Sequence, residues 1–348
     1  MAQIDIPNLH FRIKLYTGNG SARSITFDES GNMQPDLMWV KGRDTTASWL
    51  CNDAVRGATK RLKLDATDAE STQTGMITSF DTNGFSLGTT STSNNNGSTY
   101  AAFNWKANGA GSSNGDGSIT ATVSANTTAN FSICTYTGTG SNATFGHGLS
   151  VAPKMVIIKS RGGARSWPVF HENMGGGQAM FIDTTAQKDI DSSYWNSTIP
   201  STSVVSIGSR SEMNHNGENF VAYCFGNKPG YSYIDAYTGN NNDDGPFIYC
   251  GFRPAWVLLK RKDGVEGWYL MDAKRDTHNL TSRNLFPAST SAENNMSNTN
   301  QVNMDILSNG FKIKSTDTAI NASGGEYIFA AFAQNPIVGS NDVPAVAR

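Results

Sequence analysis

Two constellations in this 348-residue chain have residue types that could do chemistry. Trp49, Asp53 and Arg56 recur as Trp268, Asp272 and Arg275, at the same offsets of four and seven residues. On a helical turn these spacings would gather the three side chains. A carboxylate beside a guanidinium there could bind a polar ligand, or form a salt bridge over an aromatic cap. The middle of the chain has His171 and Met174 at the corresponding positions, so the pattern reads as structure. His171-Glu172 is the most acid/base-like pair of neighbours, but adjacent side chains on a strand face opposite ways, and it reads as a surface pair. The other histidines, at 10, 147, 215 and 278, are dispersed, and no nucleophile elbow, phosphate-cradling loop or paired-histidine zinc motif is present. No catalytic residue is assigned.

Asn240, Asn242, Asp244 and Gly245 imitate the start of a calcium loop, yet position 251, where the closing glutamate belongs, is Gly. The stretch reads as an Asn/Gly turn. Cys51, Cys134, Cys224 and Cys250 are too scattered for a zinc or redox motif and read as free, partly buried thiols. No metal or organic cofactor is expected. Sugar recognition would use exposed Trp or Tyr rings among polar residues. Tyr194 and Trp195, in a polar segment without counterparts elsewhere, are the candidates for such a surface.

The elements that must position these residues come in three copies. Tyr16-Thr17-Gly18, Tyr136-Thr137-Gly138 and Tyr237-Thr238-Gly239 each open a copy. Each continues into a proline, an apolar run and a lysine: Pro35 to Lys41, Pro153 to Lys159 and Pro254 to Lys260. Trp49, Trp167 and Trp268 each follow that proline by 14 residues. The copies close on Tyr100-Ala101-Ala102-Phe103, Phe220-Val221-Ala222-Tyr223 and Tyr327-Ile328-Phe329-Ala330. Such regularity marks the three tryptophans, with Tyr16, Tyr136 and Tyr237, as a repeated structural core rather than a sugar platform.

The apolar runs are short, rich in strand-forming types and bounded by Pro and Lys, so they read as strands buried on both faces. Asn83-Gly84 and Asn309-Gly310 look like turns entering strands. Charged residues are only 16% of the chain, with 35 Gly, while 38% hydrophobic residues suffice for several small cores. The fold class expected is all-β and mostly antiparallel: three tandem, independent, sandwich-like domains, with a short helical turn after each Trp. The expected boundaries are a first domain over 1–107 with a short N-terminal arm, a Gly/Ser/Asn-rich linker or long loop over 108–130, a second domain over 131–228, and a third over 229–348 with a C-terminal tail. A net charge of −2 without a Lys/Arg run argues against nucleic acid as a partner. Neither a secretory signal nor eighteen consecutive apolar residues is present, so no membrane insertion is expected and synthesis in a cytoplasm is.

These residues resemble a family of repeated, β-rich proteins encoded by marine tailed bacteriophages, including those of cyanobacteria and oceanic α-proteobacteria. The likeness rests on Tyr16-Thr17-Gly18-Asn19-Gly20, Pro35 to Lys41, Asp53 to Lys60, Ser79 to Gly88, and Ala330 to Pro336, and it covers nearly the whole chain. It implies a non-enzymatic virion structural protein on the particle surface, in a tail fibre or other appendage contacting the host. Implied partners are other virion proteins and a host-surface glycan or receptor, with a homotrimer by analogy. The family carries no established site residue, and the middle copy lacks the Asp-x-x-Arg-Gly segment. Only about fifteen residues precede the first copy, leaving little room for a separate virion anchor. A capsid decoration protein is therefore one alternative expectation, and a glycan-binding or glycan-degrading tailspike is another, although no paired carboxylates are identifiable in sequence.

Overall fold

The computed structural model describes residues 3–296, 298 and 300–334. The chain is all-β, its strands joined in antiparallel sheets and its helices reduced to single turns. In the first copy the opening strand Phe11–Thr17 pairs with the closing strand Thr99–Trp105, which pairs with Leu37–Gly42, which pairs with Leu50–Asp53. The same order joins Phe131–Thr137, Asn219–Phe225, Met155–Ser160 and Pro168–His171 in the second copy. It joins Ser232–Thr238, Glu326–Phe332, Trp256–Arg261 and Trp268–Asp272 in the third.

A smaller sheet backs each large one: Arg23–Thr26, Gly84–Leu87 and Ile77–Asp81 in the first copy; Ala143–Gly146 and Val204–Ile207 in the second; Phe247–Tyr249, Gly310–Ile313 and Met304–Leu307 in the third. Both Asn-Gly turns lead into strands of these sheets. The repeated Tyr-Thr-Gly is explained by packing. The tyrosine hydroxyls donate to Ser93, Met213 and Ile320 carbonyls at 2.9, 2.6 and 2.8 Å. These carbonyls belong to the one-turn helices Ser91–Asn94, Ser211–Asn214 and Thr318–Asn321. A Cβ on Gly18, Gly138 or Gly239 would lie 2.1–2.4 Å from a carbonyl just beyond those helices, so only glycine fits.

Successive residues on a strand face opposite sides, and here both sides are buried. On the first closing strand Tyr100 and Ala102 face the small sheet, whereas Ala101, Phe103 and Trp105 face inward. Val221, Tyr223 and Phe225, and Ile328, Ala330 and Phe332, face inward likewise. All three inner faces meet in one continuous hydrophobic core, while each outer face has a core of its own. Trp105, Phe225 and Phe332 occupy equivalent register positions and touch one another, with ring centroids 5.7–6.1 Å apart. They mark an approximate threefold axis within a single chain.

Three expectations are corrected here. The copies are not independent: each keeps a core of its own on the outer face, but a sheet apolar on both faces needs cover on both, and the inner cover is the other two copies. Residues 108–130 are not a linker: Ser112–Asn114 and Ala121–Asn126 add two strands to the edge of the second sheet. Their Ser, Thr and Ala residues suit an edge strand with one wet face. A strand and not a helical turn comes directly after each tryptophan or begins with it, Leu50–Asp53, Pro168–His171 and Trp268–Asp272, because the inward side chains alternate; a single 3-10 turn, Glu172–Met174, follows the second of these strands. The tail beyond Gln334 lies outside the described residues.

A shared core predicts shared unfolding. Replacing Phe225 with Ala should cost about 3–5 kcal/mol and lower the melting temperature of the whole chain. Urea unfolding followed by tryptophan fluorescence and circular dichroism should give one coincident transition. Three resolved transitions, with only the middle one moved, would contradict the shared core.

Candidate functional site

The repeated residues lie where copy meets copy. Trp49, Trp167 and Trp268 are inward-facing and buried. The Trp49 indole N–H donates to the Phe286 carbonyl of the third copy at 2.9 Å. Trp167 donates to Lys63 and Ala66 carbonyls of the first copy at 3.0 and 3.1 Å, and Trp268 to the Phe181 carbonyl of the second at 2.8 Å. The lysines follow the same circuit: Lys41 reaches the Thr290 carbonyl at 3.0 Å, Lys159 that of Thr67 at 2.9 Å, and Lys260 that of Thr185 at 3.2 Å. First copy to third, second to first, third to second, the contacts close a ring. Burial draws all three lysines down to about 8.

Asp53 and Arg56 do come together, across a turn. The Arg56 Nε donates to Asp53 at 2.5 Å and its Nη1 to Glu70 at 3.0 Å. Arg161 of the second copy grips the same Glu70 with two hydrogen bonds of 3.0 Å. In the third copy Arg275 pairs with Asp272 and lies 3.1 Å from Glu293, which Arg43 of the first copy holds at 2.8 and 3.0 Å. Burial opposes the charge of Glu293, but Arg43, Arg275 and Arg283 outweigh it and bring the carboxyl to about 2. Sequence reasoning found Asp53, Arg56, Asp272 and Arg275 but missed Glu70 and Glu293. Their distances from the motif, 14 and 18 residues beyond the arginine, differ and left no common spacing to detect.

At the remaining junction the box is rewritten. His171 stands where Asp53 and Asp272 stand, facing Met155 as they face Leu37 and Trp256. The backbone N–H of Lys188 donates to the Lys262 carbonyl as Glu70 does to Arg161 and Glu293 to Arg43. Lys188 and Lys262 both approach Glu326, at 3.8 and 3.4 Å. His171 is buried rather than on the surface: its Nδ1 accepts from the Asn173 N–H and its Nε2 meets the Phe329 carbonyl at 3.3 Å. Its neighbour Glu172 turns away to Lys154.

Tyr194 and Trp195, expected to be exposed, are buried, and the expectation is corrected. Trp195 packs edge-on against Phe170 at 5.6 Å, and Tyr194 against Phe181 at 5.7 Å, with the Arg210 guanidinium over its ring. The Gly208 N–H donates to the Tyr194 carbonyl as Gly88 does to Met76, so Tyr194-Trp195 occupies the place of Met76-Ile77. The second small sheet lacks a third strand, and these two rings fill that volume. The polar residues around them make turns.

Asn240 to Gly245 is a turn whose acceptors are already engaged. The Asn240 Oδ1 accepts from the Asn242 N–H and the Asn321 amide, and the Asn242 Oδ1 accepts from the Asp244 N–H. Among the described residues no three His, Cys, Asp or Glu side chains gather as metal ligands, and the four cysteines are free and buried. No helix there is long and apolar enough to cross a membrane. The surface has several concave regions, among them two lined by more than one aromatic ring. A groove of about 550 Å³ is lined by Thr185, Trp268, Tyr269, Phe286 and Glu293, and a pocket of about 400 Å³ by Lys228, Tyr233, Tyr249 and Gly251.

These features define a tandem-repeat β protein closed into a ring, whose recurring polar residues are the ties between copies. The profile described as "Domain of unknown function (DUF7483)" matches residues 6–336, and the chain belongs to that family. No curated protein and no solved structure matches it.

Two predictions test the ties. Replacing Arg56 with Met leaves Asp53 buried beside an uncharged side chain and Glu70 with Arg161 alone, and should cost about 3–5 kcal/mol in denaturant unfolding. Acid should act in two stages. Burial lowers His10 and His171 to about 4 from 6.5, so both stay neutral in the fold while the unfolded chain takes up protons. Their stabilisation is complete above pH 6.5 and is lost as pH falls from there towards 4. Glu293, depressed to about 2, adds a second loss as pH drops from about 4.5 to 2. Melting temperature against pH should fall in that order; a flat profile down to pH 4 would contradict the histidine assignment.

Proposed function

We propose that the protein is a non-enzymatic structural component of a tailed-phage virion, placed in a tail fibre or other surface appendage that contacts the host. The observation that carries this reading is the use made of the repeated functional groups. The carboxylates, guanidiniums, ammoniums and indoles that recur with the copies bind neighbouring copies. Asp53 and Asp272 each face a guanidinium within their own copy, and Glu70 and Glu293 are gripped from two copies at once. Such groups are spent on rigidity rather than held ready for proton transfer, which suits an exposed module that must keep its shape. The likeness to marine phage proteins supplies the particle context. The ring leaves the turns between strands at the periphery, where they can meet a host surface.

Antibody raised against the intact chain should decorate the tail appendages of particles of the encoding virus in electron micrographs. Decoration confined to the capsid would replace the appendage by a head-surface role. Unlabelled particles, with the chain recovered only from lysed cells, would refute a virion role altogether.

A further inference from the structure

The approximate threefold symmetry makes departures from it informative. In the small sheets, Ile25, Phe145 and Ile248 are equivalent buried residues, opposite Phe85, Val205 and Phe311. The residues flanking them lie on the opposite face of the strand, which in the second copy is partly covered by Asn114 and Asp116. The flanking residues are Ser24 and Thr26 in the first copy, Thr144 and Gly146 in the second, and Phe247 and Tyr249 in the third. Phe247 is 47% exposed and Tyr249 63% exposed. Two copies fold with small or polar residues at these positions, so the fold does not require aromatic rings there. Exposed large apolar residues without a packing role mark contact with something else.

Tyr249 also lines the 400 Å³ pocket, together with Tyr233, Lys228, Asn227 and Gly251, a volume suited to one small ligand unit. Phe247 lies two residues along the same strand and on the same face, about 7 Å away. Lys228 is 8% exposed, and among the described residues its ammonium has no carboxylate or hydrogen-bond acceptor. The nearest acid on the third opening strand, Asp235, is engaged by the Tyr233 hydroxyl, the Asn173 amide and the Ala236 N–H. Among the residues lining this pocket Lys228 is the charged one. An ammonium left without a carboxylate or hydrogen-bond partner beside a pocket favours an anionic group arriving from outside.

We propose that Phe247, Tyr249 and the Lys228 pocket form a binding site for an acidic saccharide. The aromatic rings take the apolar faces of sugar units, and Lys228 takes a carboxylate or sulfate. This names the receptor class for the host-contacting role proposed above and rests on that reading for its biological setting.

The test is calorimetric titration of the intact chain with alginate oligosaccharides, which carry carboxylates, with oligosaccharides of a sulfated galactan, and with neutral dextran. At least one acidic probe should bind and dextran should not; which of the two binds identifies the anion. Tyr249→Ala and Phe247→Ser should each weaken that binding at least tenfold while leaving the melting temperature unchanged. Lys228→Met should remove the preference for acidic over neutral probes. Absence of binding to both acidic probes, equal binding of dextran, or undiminished affinity in the variants would overturn the proposal. So would a concentration-dependent dimer in sedimentation that Tyr249→Ala abolishes, because the occupant would then be a second copy. Labelled particles with no saccharide binding would sink this inference alone, whereas binding by a chain absent from particles would sink the virion role alone.

Discussion

The structure depends on the contact among Trp105, Phe225 and Phe332. Each closing strand is the central partner in its sheet, between the opening strand and the apolar run, so its inward residues reach deepest. Placing three equivalent aromatic rings on one axis fixes the distance of every sheet from it. Trp39 and Trp256 pack edge-on against Trp105 and extend the aromatic centre. A core assembled from three sheets must be held in rotation as well as in depth, because apolar packing alone has little directionality. The indole and ammonium contacts supply that direction at each junction.

The ties are made twice with charge and once mostly without. The junctions containing Glu70 and Glu293 join a buried Asp–Arg pair to an arginine from the next copy, whereas the third junction substitutes His171, Met174, Lys188 and Lys262. A half-built box would leave a charge buried without its partner, which is costlier than having none. The middle copy has accordingly lost the aspartate, the arginine and the glutamate together, and His171 remains neutral. Lys228 is conspicuous by comparison: among the described residues its ammonium makes none of the hydrogen bonds or ion pairs that Lys41, Lys159 and Lys260 make. Symmetry is relaxed again at Phe247 and Tyr249, where the third copy departs from the other two without any gain in packing.

Much of the architecture was legible because local rules set it. The fixed distance from proline to lysine and to tryptophan reflects a strand, a turn and a returning strand of constant length. Runs such as Met155 to Ile158 announced burial on both faces by lacking any polar alternation. They could not announce what the second cover was, since three small sandwiches and one closed ring need the same pattern. Residues 108–130 looked like a linker because edge strands with a wet face have the composition of loops. Tyr194 and Trp195 looked exposed because the neighbouring residues are polar, but those residues build turns and the rings fill the place of an absent strand.

The sequence by itself determined the all-β class, the repeated pattern, and the equivalence of Trp49, Trp167 and Trp268. These follow from period, spacing and composition, which act within a strand or a hairpin. Only the tertiary structure decided that the copies share a core, that each lysine and tryptophan bonds the next copy, and that Glu70 and Glu293 complete the boxes. It alone gave Phe247 and Tyr249 their significance, because exposure is a property of what a neighbour does or does not cover. Contacts between residues 237 or 249 positions apart leave no trace in local pattern. They exist because three faces that cannot meet water must meet one another.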